Sequence, residues 1–202
     1  MNPEVLLIIS IVLFVIVTSF FASSENMELR RVFHVPEGWA GLVYRHGLYV
    51  RRNNAGRHVV WGLGWTMSLA DLRRTSVEVG AQEVLTADKI GLKVSLLVTY
   101  EVTDPVKTAH QTQNWFGDLH NTAQIALRGV ASDATVETLL NQRLEIGAQL
   151  LARIQPEAAK LGVNVLAVEV KDVFLPPELE QAFADALKAR LENRQAPEDV
   201  RG

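Results

Sequence analysis

The sequence predicts an α+β fold, with an N-terminal transmembrane helix followed by an antiparallel sheet, packed helices, a late strand and a C-terminal exit helix. Three observations carry that expectation. An eighteen-residue apolar run opens the chain, over residues 5–22. A mostly period-two pattern then holds from about Gly38 to Val102, and from Asp104 the period becomes helical, interrupted by one strand-like stretch at residues 163–173.

The opening run reads VLLIISIVLFVIVTSFFA, without charge, proline or glycine. As a helix it would be roughly 27 Å long at 1.5 Å per residue, close to the ~30 Å hydrocarbon core of a bilayer. Ser10, Thr18 and Ser19 can bond back to carbonyls within such a helix and subtract little. The rival reading is a cleaved signal peptide ending at Ala22-Ser23-Ser24, but the start Met-Asn-Pro-Glu lacks the basic residues a signal peptide carries. No Lys or Arg precedes the run and Arg30-Arg31 follow it, so the positive-inside rule places a single-pass protein in the cell membrane with its body on the cytoplasmic side. Three segments are expected: an anchor at residues 1–24, a folded body at 25–175, and a C-terminal helix and tail at 176–202.

Composition narrows the function classes. The chain has 20 Lys+Arg against 23 Asp+Glu, a formal charge of −3. That balance offers no broad basic field for nucleic acid or anionic lipid, and the pairs Arg30-Arg31, Arg51-Arg52 and Arg73-Arg74 read as solvated surface. Cysteine is absent, which excludes disulfides, thiolate metal sites and cysteine nucleophiles.

Within the sheet region, the clearest strand spans residues 90–102. Ile90, Leu92, Val94, Leu96, Val98, Tyr100 and Val102 form an apolar face, and Lys93, Ser95, Thr99 and Glu101 lie on a mostly polar one. Residues 82–86 form the preceding strand, with Ala87-Asp88-Lys89 as the turn. Earlier strands at residues 39–44 and 48–51 flank a turn at His46-Gly47.

Asp104-Pro105 is a helix start, since the carboxylate can cap free amides and proline at the first position loses no hydrogen bond. Phe116, Leu119, Ala123, Ala126, Leu127 and Val130 then mark one buried helical face. Leu139, Leu140, Leu150, Leu151, Ile154, Ala158 and Leu161 mark a further helical stretch closed by Gly162. Pro176-Pro177 ends the late strand, residues 178–194 form the exit helix, and residues 195–202 fray.

Enzyme chemistry finds little to stand on. The histidines His34, His46, His58, His110 and His120 have no metal-ligand spacing, and neither a GxSxG elbow nor a phosphate loop is present. No catalytic, cofactor-binding or metal-ligating residue is nominated. One stretch stands out instead. Residues 59–65 (VVWGLGW) place Trp61, Leu63 and Trp65 around two glycines, as an apolar loop. Tryptophan favours the headgroup zone, where its ring is apolar and its N–H stays wet. Either these side chains contact a membrane, or the rings pack on the sheet.

Four segments resemble the SPFH (band-seven) domain of stomatins, prohibitins, flotillins and bacterial slipins. They are VPEGWAGLVYRHGLYV (residues 35–50), QEVLTADKIGLKVSLLVTYEVTDPVK (82–107), ALRGVASDATVETLLNQRLEIGAQL (126–150) and GVNVLAVEVKDVFLPPELEQAFA (162–184). The resemblance implies a membrane-associated scaffold that forms homo-oligomers and organises a membrane patch or its protein partners, with no catalytic residues, no cofactor and no nucleic acid. An accessory subunit of a membrane protease or transporter is the alternative, and an exported binding protein or hydrolase the third reading. Family members commonly continue into a long coiled coil. Here the exit helix has an apolar stripe only about two heptads long, of which Leu179, Phe183, Leu187 and Leu191 are the candidates for self-association. The WGLGW segment also lacks a proline common there in the family.

Overall fold

The computed structural model describes residues 9–19, 30–182, 185 and 188. Residues 9–19 are helical, with apolar side chains about half exposed or more. Among the described residues no helix is long and apolar enough to cross a membrane. The spanning helix expected over residues 5–22 is therefore not shown; residues 5–8 and 20–22 of it lie outside the described residues. The chain divides into two compact units, Met1–Arg73 and Arg74–Gly202.

In the first unit, β1 (Arg30–Val35) and β4 (Gly56–Trp61) form an antiparallel pair, with Arg30 opposite Trp61 and Val35 opposite Gly56. The second sheet has the order β3-β2-β5, from β2 (Trp39–Arg45), β3 (Leu48–Asn53) and β5 (Trp65–Asp71). β2 takes the centre because its WAGLVYR sequence is apolar on both faces, and Ala40, Leu42 and Val43 are buried there. β3 is its opposite: an edge strand whose residues are exposed up to Asn53. The strands expected at residues 39–44 and 48–51 are present, each slightly longer. Residues 59–61, read from the sequence as part of a loop, are the end of β4. They pair with residues from β1 that lie far away in sequence, a contact no local pattern announces.

The second unit is a three-stranded antiparallel sheet in the order β6-β7-β8, formed by β6 (Thr75–Leu85), β7 (Gly91–Val102) and β8 (Val163–Phe174). Leu92, Val94, Leu96, Val98 and Tyr100 alternate into the core as their period predicts. The reverse face is less open than expected. Ser95 is buried, because its hydroxyl donates to Asp172 on β8 and accepts from the Asp172 amide. At the hairpin, the Thr86 amide donates to the Ile90 carbonyl and that of Lys89 to Thr86, with Lys89 in the left-handed region at φ 64°.

Four helices join β7 to β8. α1 (Pro105–His110) starts where the sequence places it, the Asp104 carboxylate accepting from the amides of Val106 and Lys107. α2 (Trp115–Asp133) is capped by Asn114, and α3 (Val136–Asn141) by Thr135. α4 (Arg143–Lys160) follows α3 directly, so the second helical stretch is two helices that meet at Gln142. Leu119, Ala123, Ala126, Leu127 and Val130 line the buried face of α2 as expected. Phe116 does not: it is 40% exposed, and its neighbour Trp115 packs edge-on against Tyr100 at 5.7 Å in its place. The register of the first helical turn decides between two adjacent aromatics, and the helix starts one residue before the face drawn from the sequence. α4 lies against β8, and a Cβ on Gly147 would meet the Val168 carbonyl oxygen. Residues 177–182 are helical, the start of the expected exit helix.

Candidate functional site

Among the described residues no cluster of three or more His, Asp or Glu could hold a metal ion. An open cleft of about 440 Å³ beside Leu92, Phe174, Leu175 and Pro176 includes only Glu83 and Lys93 as charged groups. These face each other as paired residues of β6 and β7 and have no nucleophile beside them.

The first unit offers a more distinctive surface. Gly62-Leu63-Gly64 connects β4 to β5, and both glycines have positive φ, 101° and 79°, where a side chain is strained. Within this turn the Trp65 indole N–H donates to the Trp61 carbonyl at 2.9 Å. The Trp65 ring is thereby held back, half-buried. Trp61 and Leu63 point outward, 66% and 60% exposed. The turn rests on the tip of the β2–β3 hairpin, where the His46 amide donates to the Gly64 carbonyl at 2.9 Å. The His46 ring occupies the space a Cβ on Gly64 would need. Leu48, just past that hairpin tip, is 75% exposed. Three large apolar side chains thus share one end of the unit. Trp61 and Leu63 were legible from the sequence; Leu48 was not, because the pairing of Arg45 with both Leu48 and Trp65 brings it there.

Arginines from two strands surround this tip. Arg31 Nη1 donates to the Trp65 carbonyl at 2.9 Å. The Arg45 guanidinium stands 5.3 Å from the centre of the Trp65 ring, a cation–π contact. Arg30 lies opposite Trp61 in the strand register. Residues 30–73 contain seven arginines, no lysine and two carboxylates, Glu37 and Asp71, a formal charge of +5. Asp71 is committed to Arg73, whose hydrogen bonds hold its carboxyl at about 2, well below the usual range. Its register partner is Trp39, at the far end of the β2–β5 pair from Arg45 and Trp65. Six residue steps of strand separate the two ends, about 20 Å. The charge balance of the whole chain conceals this polarity.

Of the residues proposed for self-association, Leu179 is half-buried in the helical segment 177–182. Phe183, Leu187 and Leu191 lie outside the described residues.

Comparison with known proteins agrees with the fold. The model of the SPFH domain / Band 7 family matches residues 33–202. A stomatin homolog of Pyrococcus horikoshii is 30% identical over 183 residues, covering 88% of this chain and 69% of its own length. A second stomatin homolog, from Pyrococcus abyssi, is 31% identical over 79% of this chain and 60% of its own length. An uncharacterized protein of Archaeoglobus fulgidus is also 31% identical, over 79% of this chain and 64% of its own length. The chain therefore spans about two thirds of the length of these relatives. With the domain matched over residues 33–202, and with its sheets and helices in place through β8, this protein belongs to the SPFH/Band 7 family.

Proposed function

We propose that this chain is a membrane-anchored, stomatin-like scaffold that self-associates and organises a membrane patch or its protein partners. In this reading residues 1–24 are a single-pass anchor, residues 25–175 the cytoplasmic SPFH body, and residues 176–202 a helix and tail. Trp61, Leu63 and Trp65 contact the bilayer interface, and Leu179, Phe183, Leu187 and Leu191 join copies of the chain. Its role is binding, with no catalysis.

The observation that carries the membrane reading is the exposed Trp61–Leu63 turn at the end of the first unit where β1 begins. Seven residues lie between Ala22, the last of the apolar run, and Arg30, a distance of eight residue steps. At ~3.3–3.6 Å per residue they reach at most about 28 Å, so an anchored chain holds this tip close to the headgroups. An exposed indole beside an exposed leucine gains there what it loses in water.

Two measurements test the proposal on the full-length protein. Cross-linking in native membranes, then mass determination in mild detergent, should give multiples of the chain. A strict monomer that copurifies with one membrane protease or transporter would replace the scaffold by the accessory reading. In proteoliposomes containing brominated lipid, tryptophan emission should be quenched, and Trp61→Ala should remove most of the quenching. Unquenched emission from the folded wild-type protein would place these rings away from the bilayer.

A further inference from the structure

We infer that the tip of the first unit is selective for anionic phospholipid, with Arg30, Arg31 and Arg45 binding headgroups around the Trp61–Leu63 wedge. The inference rests on the membrane reading of that turn and adds the chemistry of the surface it takes.

Arg31 and Arg45 each touch the turn, through the Trp65 carbonyl and the Trp65 ring, and Arg30 is registered opposite Trp61. All three are exposed. Neither carboxylate of residues 30–73 is near: Asp71 lies at the far end of β5, and Glu37 precedes β2 at that same end. Counting Glu25 and Glu28 upstream of β1 still leaves residues 23–73 with seven arginines against four carboxylates. A wedge of exposed apolar side chains rimmed by guanidinium groups matches a surface that is apolar inside and negative at its boundary. Arginine can also grip a phosphate with two parallel N–H donors. Zwitterionic lipid presents the phosphate with a compensating ammonium, whereas anionic lipid adds a surface potential that acts on all three charges together. For three basic groups near such a surface the expected gain is roughly a hundredfold in the equilibrium between inserted and withdrawn tip. A change of that size can turn a mostly withdrawn tip into a mostly inserted one.

The absence of cysteine supplies the test. A single Leu63→Cys replacement in the full-length chain gives one labelling site for an environment-sensitive fluorophore. The protein is reconstituted in vesicles of phosphatidylcholine alone, or with about a third phosphatidylglycerol. The label should be blue-shifted in the anionic vesicles, far less so in the zwitterionic ones, and about 0.5 M salt should reverse the difference by screening. Neutralising Arg30, Arg31 and Arg45 to Gln should abolish the lipid dependence, and Lys at the same positions should keep most of it. Because the lipid and salt comparisons keep every arginine, a poorly folded Gln variant leaves the test intact. Equal insertion in both vesicles, insensitive to salt, would overturn the anionic preference and leave the membrane reading standing. A label exposed to water in both would overturn the two together.

Discussion

The two compact units of this protein place their apolar residues in opposite ways. Among the described residues, the second unit closes twenty-four buried residues into one cluster between its sheet and helices. Among the described apolar residues of the first unit only Val35, Ala40, Leu42, Val43 and Val60 are buried, and Leu48, Trp61 and Leu63 are well exposed. Charge divides the same way. Residues 30–73 are basic, whereas residues 74–202 have thirteen Lys and Arg against eighteen Asp and Glu, a formal −5. The second unit has the build of a domain stabilised from within. The first presents a surface with something still to cover. Exposed apolar groups cost little when scattered, but three at one strand end, within a collar of like charge, make an apolar patch of the kind on which the proposed membrane contact rests.

The sharpest way to break this contrast is one change in each unit. Val98→Asp puts an unpaired charge at a position 1% exposed in the centre of β7, and should cost several kcal/mol. Trp61→Ala removes a far larger side chain and should move stability by only about 0.5 kcal/mol. Denaturant titration of both variants reads the difference. Equal losses would mean that Trp61 is covered in the folded protein and that the units do not differ as described.

A smaller effect probes the close packing of the second unit. Gly147→Ala directs a methyl group at the Val168 carbonyl oxygen, and should cost about 1–3 kcal/mol as α4 is pushed off β8. Thermal unfolding checks the size, and hydrogen exchange along β8 checks the location. A neutral Gly147→Ala would show that the helix–strand spacing is not tight.

The smallest effect is expected from the ion pair at the far end of the first unit. The Asp71 carboxyl is lowered to about 2 by hydrogen bonds from Arg73. A lowered folded-state value means that its stabilisation is present above the ordinary carboxylate range and is lost as the pH falls through about 4 to 2. The side chains are solvent-facing, so the change is slight and best followed through the Asp71 carboxyl resonance. A midpoint near 4 would show that Arg73 does not hold it.

Much of the second unit was legible because its signals are local. A period-two run of thirteen residues specifies the core face of β7, and Asp104-Pro105 marks the start of α1 through bonds spanning three residues. Where two local choices were nearly equal, the sequence pattern erred. Trp115 and Phe116 are adjacent and both aromatic, and only packing against Tyr100 selects the first. The Trp61–Leu63–Trp65 cluster was legible as a motif, through its glycines and its composition. Its division into two exposed side chains and one held ring was not, since that follows from the Trp65 indole bond and the Arg45 contact.

By itself, then, the sequence determined the α+β class, the pair β2–β3 with its turn, the hairpin leading into β7, the cap of α1, the late strand β8, and the apolar character of the Trp61–Trp65 segment. Those depend on bonds and periodicities a few residues long. The tertiary structure decided which charges meet. Arg30 faces Trp61 thirty-one positions away, and Arg45 reaches Trp65 from another strand. The pair Arg30-Arg31, which reads as scattered surface, joins Arg45 in a collar on one tip, with Glu37 and Asp71 at the other end. Net charge sums over the whole chain, but an electrostatic surface is set by distances of a few ångströms, and only the pairing of distant strands fixes those.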